Sequence, residues 1–268
     1  MIKRHRVEPG SKFRVRQVDA ASTAGWSGGK RKTLKEFEDL NGRLHALQNL
    51  LWAEHDRKVL VVLQGMDTSG KDGTISHVFQ GVNPLGVKVT SFKAPNQEEL
   101  DHDFLWRVHR KVPAAGEIGI FNRSHYESVL VERVHDLVPA KVWKARYAQI
   151  NDFERLLSES GTSVLKFFLY IDRDEQRRRL LERLADPEKS WKFSASDLED
   201  RKQWDAYMAA YEEAVTRTST SAAPWYVVPA NKKWYRNLVV ASVLVQTLEG
   251  MQLHYRKPAV DLRNLEIE

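Results

Sequence analysis

Gly65, Gly70 and Lys71 stand at the spacing that grips a phosphate group. In Gly65-Met-Asp-Thr-Ser-Gly-Lys-Asp-Gly-Thr74 the glycines let successive backbone N–H groups wrap an anion. Lys71 then neutralises phosphate charge, and a helix starting there adds the positive end of its dipole. Gly65, Thr68, Ser69, Gly70, Asp72, Gly73 and Thr74 are the expected phosphate-binding positions around Lys71. The pattern departs from the usual phosphate loop at Asp72, where a Ser or Thr hydroxyl normally touches Mg²⁺. A carboxylate also coordinates Mg²⁺, directly or through water, so metal use survives with altered ligands.

A second cluster closes the apolar run in Gly116-Glu-Ile-Gly-Ile-Phe-Asn-Arg-Ser-His-Tyr-Glu127. Phosphate-loop enzymes place a metal-orienting aspartate at such a strand end. Asn122 stands there and brings no charge, which leaves Asp67, Asp72 and Glu127 as the candidate metal ligands. Arg123 suits bidentate contact with phosphate oxygens. The same residues also read as a helix start, with Asn122 or Ser124 as cap and Glu127 reaching back.

Farther along, Arg178, Arg183, Lys189, Lys192 and Arg201 could follow an extended anion. Between Arg173 and Phe193, however, seven basic residues face five acidic ones, so an ion-paired, solvated helix competes with that reading. Lys232 and Lys233 precede an apolar helical stretch, and cations at a helix start make sense with an anion nearby. Arg107 either lines the site or pairs with Asp103 on one helix face. His102 and His125 read as structural histidines, and Trp106, Trp143 and Trp204 as core or interface residues.

These groups need a frame. Leu34, Phe37, Leu40, Leu44, Leu47 and Leu51 recur at three- and four-residue steps, which predicts an amphipathic helix over 33–54. Short apolar runs at Val59–Leu63, Val87–Phe92, Ile118–Phe121, Val164–Ile171 and Trp225–Val228 alternate with helical patterns. Unbroken apolar character predicts strands buried on both faces, hence a parallel five-stranded sheet in an α/β three-layer α/β/α sandwich with a phosphate-loop kinase-like core. The charged stretch 173–211, broken at Asp186-Pro187, predicts a helical lid. The expected organisation is a basic arm and amphipathic helix over 1–54, a phosphotransferase core with lid over 55–250, and a tail over 251–268.

Composition narrows the class. With 42 basic and 36 acidic side chains the net charge is +6, a modest lean toward anionic partners. Cysteine is absent, which excludes disulfides, thiol catalysis and cysteine-held metals. No apolar run reaches the roughly 18–20 residues of a membrane span, and the basic N-terminus lacks a secretory apolar segment. A cytoplasmic protein without membrane or nucleic-acid partners is expected.

Gln64-Gly-Met-Asp-Thr-Ser-Gly-Lys-Asp-Gly73, Phe121-Asn-Arg-Ser-His-Tyr-Glu127 and Asp186-Pro-Glu-Lys-Ser-Trp-Lys-Phe193 together resemble the polyphosphate kinase 2 family. His102-Asp-Phe-Leu-Trp-Arg107 and Pro229-Ala-Asn-Lys-Lys233 extend the resemblance, in order, over about residues 33–250. It implies Mg²⁺-dependent transfer of the terminal phosphoryl group of inorganic polyphosphate to a nucleotide, with Mn²⁺ as the alternative metal. It also implies a helical lid over a basic channel, with Asp67, Lys71 and Arg123 in the catalytic positions and Arg183, Lys189 and Lys192 on the lid. Asn122 departs from the family's usual aspartate. His125 and Glu127 replace a common Trp and Asn, as in the subgroup acting on both AMP and ADP. The expected partners are polyphosphate, adenine or guanine nucleotides, and further copies of the chain in a dimer or tetramer. The competing readings are an ATP-dependent nucleoside or nucleotide kinase and a non-catalytic polyanion-binding module.

Overall fold

The computed structural model describes residues 1–258, so the end of the expected tail, 259–268, lies outside the described residues. The apolar runs form β1 (Lys58–Gln64), β2 (Val87–Ser91), β3 (Ile118–Asn122), β4 (Thr162–Tyr170) and β5 (Trp225–Pro229). All pair in parallel in the order β2-β3-β1-β4-β5, as continuous apolar strands predict. Strand order reverses around β1, so the loop after β1 lies at the switch point where α/β sheets open a ligand crevice.

The helices are α1 (Gly29–Glu54), α2 (Lys71–Val78), α3 (Gln97–Leu100), α4 (Trp106–His109), α5 (Val131–Val134), α6 (Ala140–Glu159), α7 (Arg173–Ala185), α8 (Ala195–Lys202), α9 (Trp204–Thr218) and α10 (Lys233–Gly250). Alternate residues of β1 feed two cores. Leu60 and Val62 pack with residues of α6 and α9, while Val59, Val61 and Leu63 pack with α1, α2 and α10. Helix α10 buries residues around most of its circumference, from Tyr235 to Leu248, as befits a helix wedged between α1 and the sheet. No helix among the described residues is long and apolar enough to cross a membrane.

Two expectations change. The charged stretch 173–211 predicts a lid, but α9 buries Trp204, Tyr207, Ala210, Tyr211, Ala214, Val215 and Thr218 in the core. The exposed excursion is therefore α7, the Asp186-Pro187 break and α8. The basic arm docks on the sheet: Val7 N–H donates to Trp225 O and Val227 N–H to His5 O, extending β5 by a short antiparallel bridge. That covers the outer edge of the sheet, which would otherwise present unpaired backbone groups. Finally, β2 is an edge strand with one side in solvent, and Val89 is half exposed.

Candidate active site

The loop between β1 and α2 has the geometry its glycines require. Gly65 (φ 156°) and Gly70 (φ 99°) adopt backbone conformations that side chains resist, and Thr68 (φ 66°) is held in the same left-handed region. Space is equally restrictive, because a Cβ at Gly65 would lie 2.7 Å from Leu169 O and one at Gly70 1.8 Å from Arg236 Nη1. Lys71 opens α2, is 7% exposed, and donates to Gly65 O at 2.7 Å. Burial, then the nearby Arg123 charge, pushes its pKa down. The hydroxyls of Thr68 and Ser69 are buried with no hydrogen-bond partner among the described residues. Thr74 instead donates its hydroxyl to Gly70 O at 3.0 Å.

Arg123 follows β3 in a left-handed conformation (φ 63°), with its N–H continuing the ladder to Leu63 O. That turn aims the guanidinium between two carboxylates: it donates to Asp67 at 2.7 Å and to Glu127 at 3.1 Å. Glu127, then Asp67, raises the Arg123 pKa, so the cation is permanent. Burial opposes ionisation of Asp67, but Lys71, Arg123 and Arg183 together hold its pKa below the usual carboxylate value. Tyr207, Tyr211, Leu130 and Asp200 complete the cleft around these groups.

Asn122 acquires a physical reason here. Its amide donates to Asp72 at 2.7 Å, and an aspartate at that position would face a second carboxylate across a hydrogen-bond distance. Ser124 is the cap, accepting from Tyr126 N–H, whereas Glu127 pairs with Arg123 and does not reach back to cap.

The exposed excursion reaches the loop at two points. Lys192 pairs with Asp72 at 3.1 Å. Asp197, which pairs with Arg183 at 3.0 Å inside the excursion, meets Asp67 of the loop by a side-chain hydrogen bond. The Asp197 carboxyl, on α8, is pushed up to about 6 by its own burial and the neighbouring Asp67 charge. Other expected cations are engaged elsewhere. Lys189 pairs with Asp186 within its own exposed turn, and Arg178 pairs with Glu175 and Glu182 on the solvated face of α7. Arg107 pairs with Glu99 at 2.9 Å, and Asp103 accepts backbone N–H groups instead. Lys232 stands exposed at the N-cap position of α10 and makes no side-chain capping bond, and Lys233 has its pKa lowered by partial burial and then by Arg179. Asp67, Asp72 and Glu127 do not form a three-carboxylate site: no group of three or more His, Asp or Glu with metal-binding geometry occurs among the described residues.

Two arginines that the motifs did not single out lie behind the loop. Arg179 of α7 donates to Thr68 O at 2.9 Å and to Ala230 O at 2.6 Å; Arg236 of α10 donates to Ser69 O at 3.2 Å. Beneath the Arg123 turn runs a buried polar network. Lys166 of β4 bonds to Glu154 of α6, to the Tyr126 hydroxyl and to Thr218 O; Glu154 also meets the His125 ring.

A phosphate-gripping loop at the switch point of a parallel sheet, backed by fixed cations and roofed by a charged helical pair, defines a phosphoryl-transfer enzyme; such transfer generally uses a divalent metal. The chain belongs to the polyphosphate kinase 2 family, whose model matches residues 27–256. It is 55% identical over 267 residues, all of both chains, to an AMP/ADP-polyphosphate phosphotransferase of Meiothermus ruber. An ADP-polyphosphate phosphotransferase of Rhodopseudomonas palustris is 47% identical over 225 residues, 80% of this chain and 78% of that one. The crystal structure of polyphosphate kinase 2 from Arthrobacter aurescens TC1 superposes with a TM-score of 0.93 at 47% identity, covering 97% of this chain and 93% of the other.

Proposed function

We propose that the enzyme moves the terminal phosphoryl group of inorganic polyphosphate onto a nucleotide, converting ADP to ATP and AMP to ADP. The observation that carries this reading is the full-length likeness to an AMP/ADP-polyphosphate phosphotransferase. The bridge from Lys192 across the loop to Asp72, beside a basic cradle, supports it. A terminal phosphate oxygen of the acceptor attacks the end phosphorus in line, and the bond from that phosphorus to the rest of the chain breaks. The leaving group is a polyphosphate one residue shorter. The attacking oxygen is already anionic, so no strong base is required. Lys71 and the loop amides hold the group in transit, while Arg123 orients Asp67 and Glu127 and meets phosphate charge. Arg183 and Lys192 are the lid cations best placed to meet the chain; Lys189, Arg107, Lys232 and Lys233 are secondary contacts.

The residues fit Mg²⁺. That ion takes one or two carboxylates and fills its shell with water and phosphate oxygens, so a three-carboxylate cluster is not required. Asp67 and Asp72 would hold it, with Glu127 and the partnerless Thr68 and Ser69 hydroxyls close to the same loop. When bound it neutralises charge on the phosphates. Incubation with polyphosphate, Mg²⁺ and AMP, ADP or GDP in parallel, with no ATP added, tests the reading. Nucleotide phosphorylation is expected; a requirement for ATP, or binding without turnover, would refute it.

A further inference from the structure

Arg236 is 2% exposed and forms no ion pair among the described residues. Its guanidinium donates only to neutral oxygens: Asn237 Oδ1 at 3.0 and 2.8 Å, and Ser69 O at 3.2 Å. The cation beside it, Arg179, does have a carboxylate, Glu175, at 2.6 Å, but Glu175 is shared with Arg178. Behind the phosphate loop there is thus more positive charge than the protein itself balances. Burying an unpaired charge is costly, and a neutral amide could supply the hydrogen bond to Ser69 O just as well. Hydrogen bonding alone therefore does not account for an arginine there. Its position does: Nη1 would lie 1.8 Å from a Cβ at Gly70, directly against the backbone that grips the ligand. Lys71, next to Gly70 at the start of α2, is likewise a buried cation with no ion-pair partner among the described residues.

We propose that Arg236 is a positioning residue of the phosphate loop, a fixed cation whose charge is balanced by the phosphate group bound in front of it. The protein holds this charge in a dry setting, and the incoming anion completes the pair. Burial, then Arg179, pushes the Arg236 pKa down to about 9, which still leaves it charged at neutral pH. The inference rests on the phosphate-loop reading but not on which phosphate chain is the donor.

The test compares Arg236→Gln, Arg236→Met and Arg236→Lys with the wild type, using calorimetric titration with tripolyphosphate and separately with ATP. The two neutral variants are made together so that a folding failure of one, seen by circular dichroism, leaves the other. Both are expected to bind at least about tenfold more weakly, because a charge acting in low dielectric is removed. Their ligand-induced rise in melting midpoint should shrink accordingly. Arg236→Lys, which keeps the charge and loses the fork, should remain within about threefold of wild type. A folded neutral variant that binds both ligands like the wild type overturns the proposal, as does a lysine variant no better than glutamine. Wild-type protein that binds ATP but not tripolyphosphate would overturn the donor assignment and leave the comparison among variants intact.

Discussion

Replacing Lys166 by Met strands the Glu154 carboxylate. Both side chains lie in the core at 0% and 1% exposure, and without the ammonium the Glu154 carboxylate keeps, among the described residues, only the Tyr126 hydroxyl and the His125 ring. Removing one partner of a buried pair costs about 3–5 kcal/mol. For a chain of 268 residues each kcal/mol moves Tm by roughly 2–4 °C, so a fall of roughly 6–20 °C is expected. The loss carries a pH signature. In the intact pair burial opposes ionisation of Glu154, but Lys166 and His125 overcome it and hold the pKa low. Without Lys166 burial dominates, and the folded-state pKa rises above the ordinary value of 4.5. An acid raised in this way loses stability as pH climbs above its unfolded value, so the deficit is larger at pH 8 than at pH 5. Lys166→Met combined with Glu154→Leu removes both charges and should recover most of the loss, because apolar replacement of a buried pair is often neutral or better. Calorimetric melts of the three proteins at both pH values check this. A single variant within about 1 kcal/mol of wild type at pH 8, a deficit independent of pH, or a double variant no more stable than the single would refute the reasoning.

Lys71→Met and Asp67→Asn should each lower kcat by about a hundredfold or more while leaving circular dichroism unchanged, and near-normal turnover in either would remove that residue from the chemistry. Lys192→Glu sets a second negative charge beside Asp72 at the mouth of the loop; KM for long polyphosphate should rise several-fold, with KM for the nucleotide little changed, in a chain-length series. His5 is buried between Val227 O and the Tyr235 hydroxyl, and burial chiefly, with the N-terminal amine and Arg4 as minor contributors, lowers its pKa from 6.5 to about 4. The unfolded chain therefore binds the extra proton between those values, and roughly 3 kcal/mol of stability present above pH 6.5 is lost on acidification toward pH 4. His5→Phe should flatten that part of the Tm-versus-pH curve; an unchanged slope would place the acid sensitivity elsewhere.

The sheet and its loop were legible because their signals are local. Unbroken apolar runs such as Val59–Leu63 have no stable place except between two helical layers, and Gly65 and Gly70 serve backbone conformations and close approaches that other residues resist. The lid boundary was less legible, since Arg201, Lys202 and Asp205 make the start of α9 read as a continuation of the charged excursion. Its spacing held the correction: Trp204, Tyr207, Tyr211, Ala214 and Thr218 recur on one face, and that face is buried. The arginines behind the loop are harder still, because an arginine on a helix normally signals solvent. Arg179 is surrounded in sequence by other charges and carries no mark of its burial. Arg236 and Lys166 do carry one: each is the single charge in a largely apolar stretch, Trp234 to Val245 and Val164 to Ile171. A charge that a sequence tolerates inside a hydrophobic run must be partnered in the fold. Lys166 finds Glu154 within the protein, whereas Arg236 finds only neutral oxygens and the back of a phosphate loop. The same irregularity thus has two physical meanings, a structural pair in one case and an unbalanced charge facing the ligand in the other, and only the three-dimensional partner list separates them.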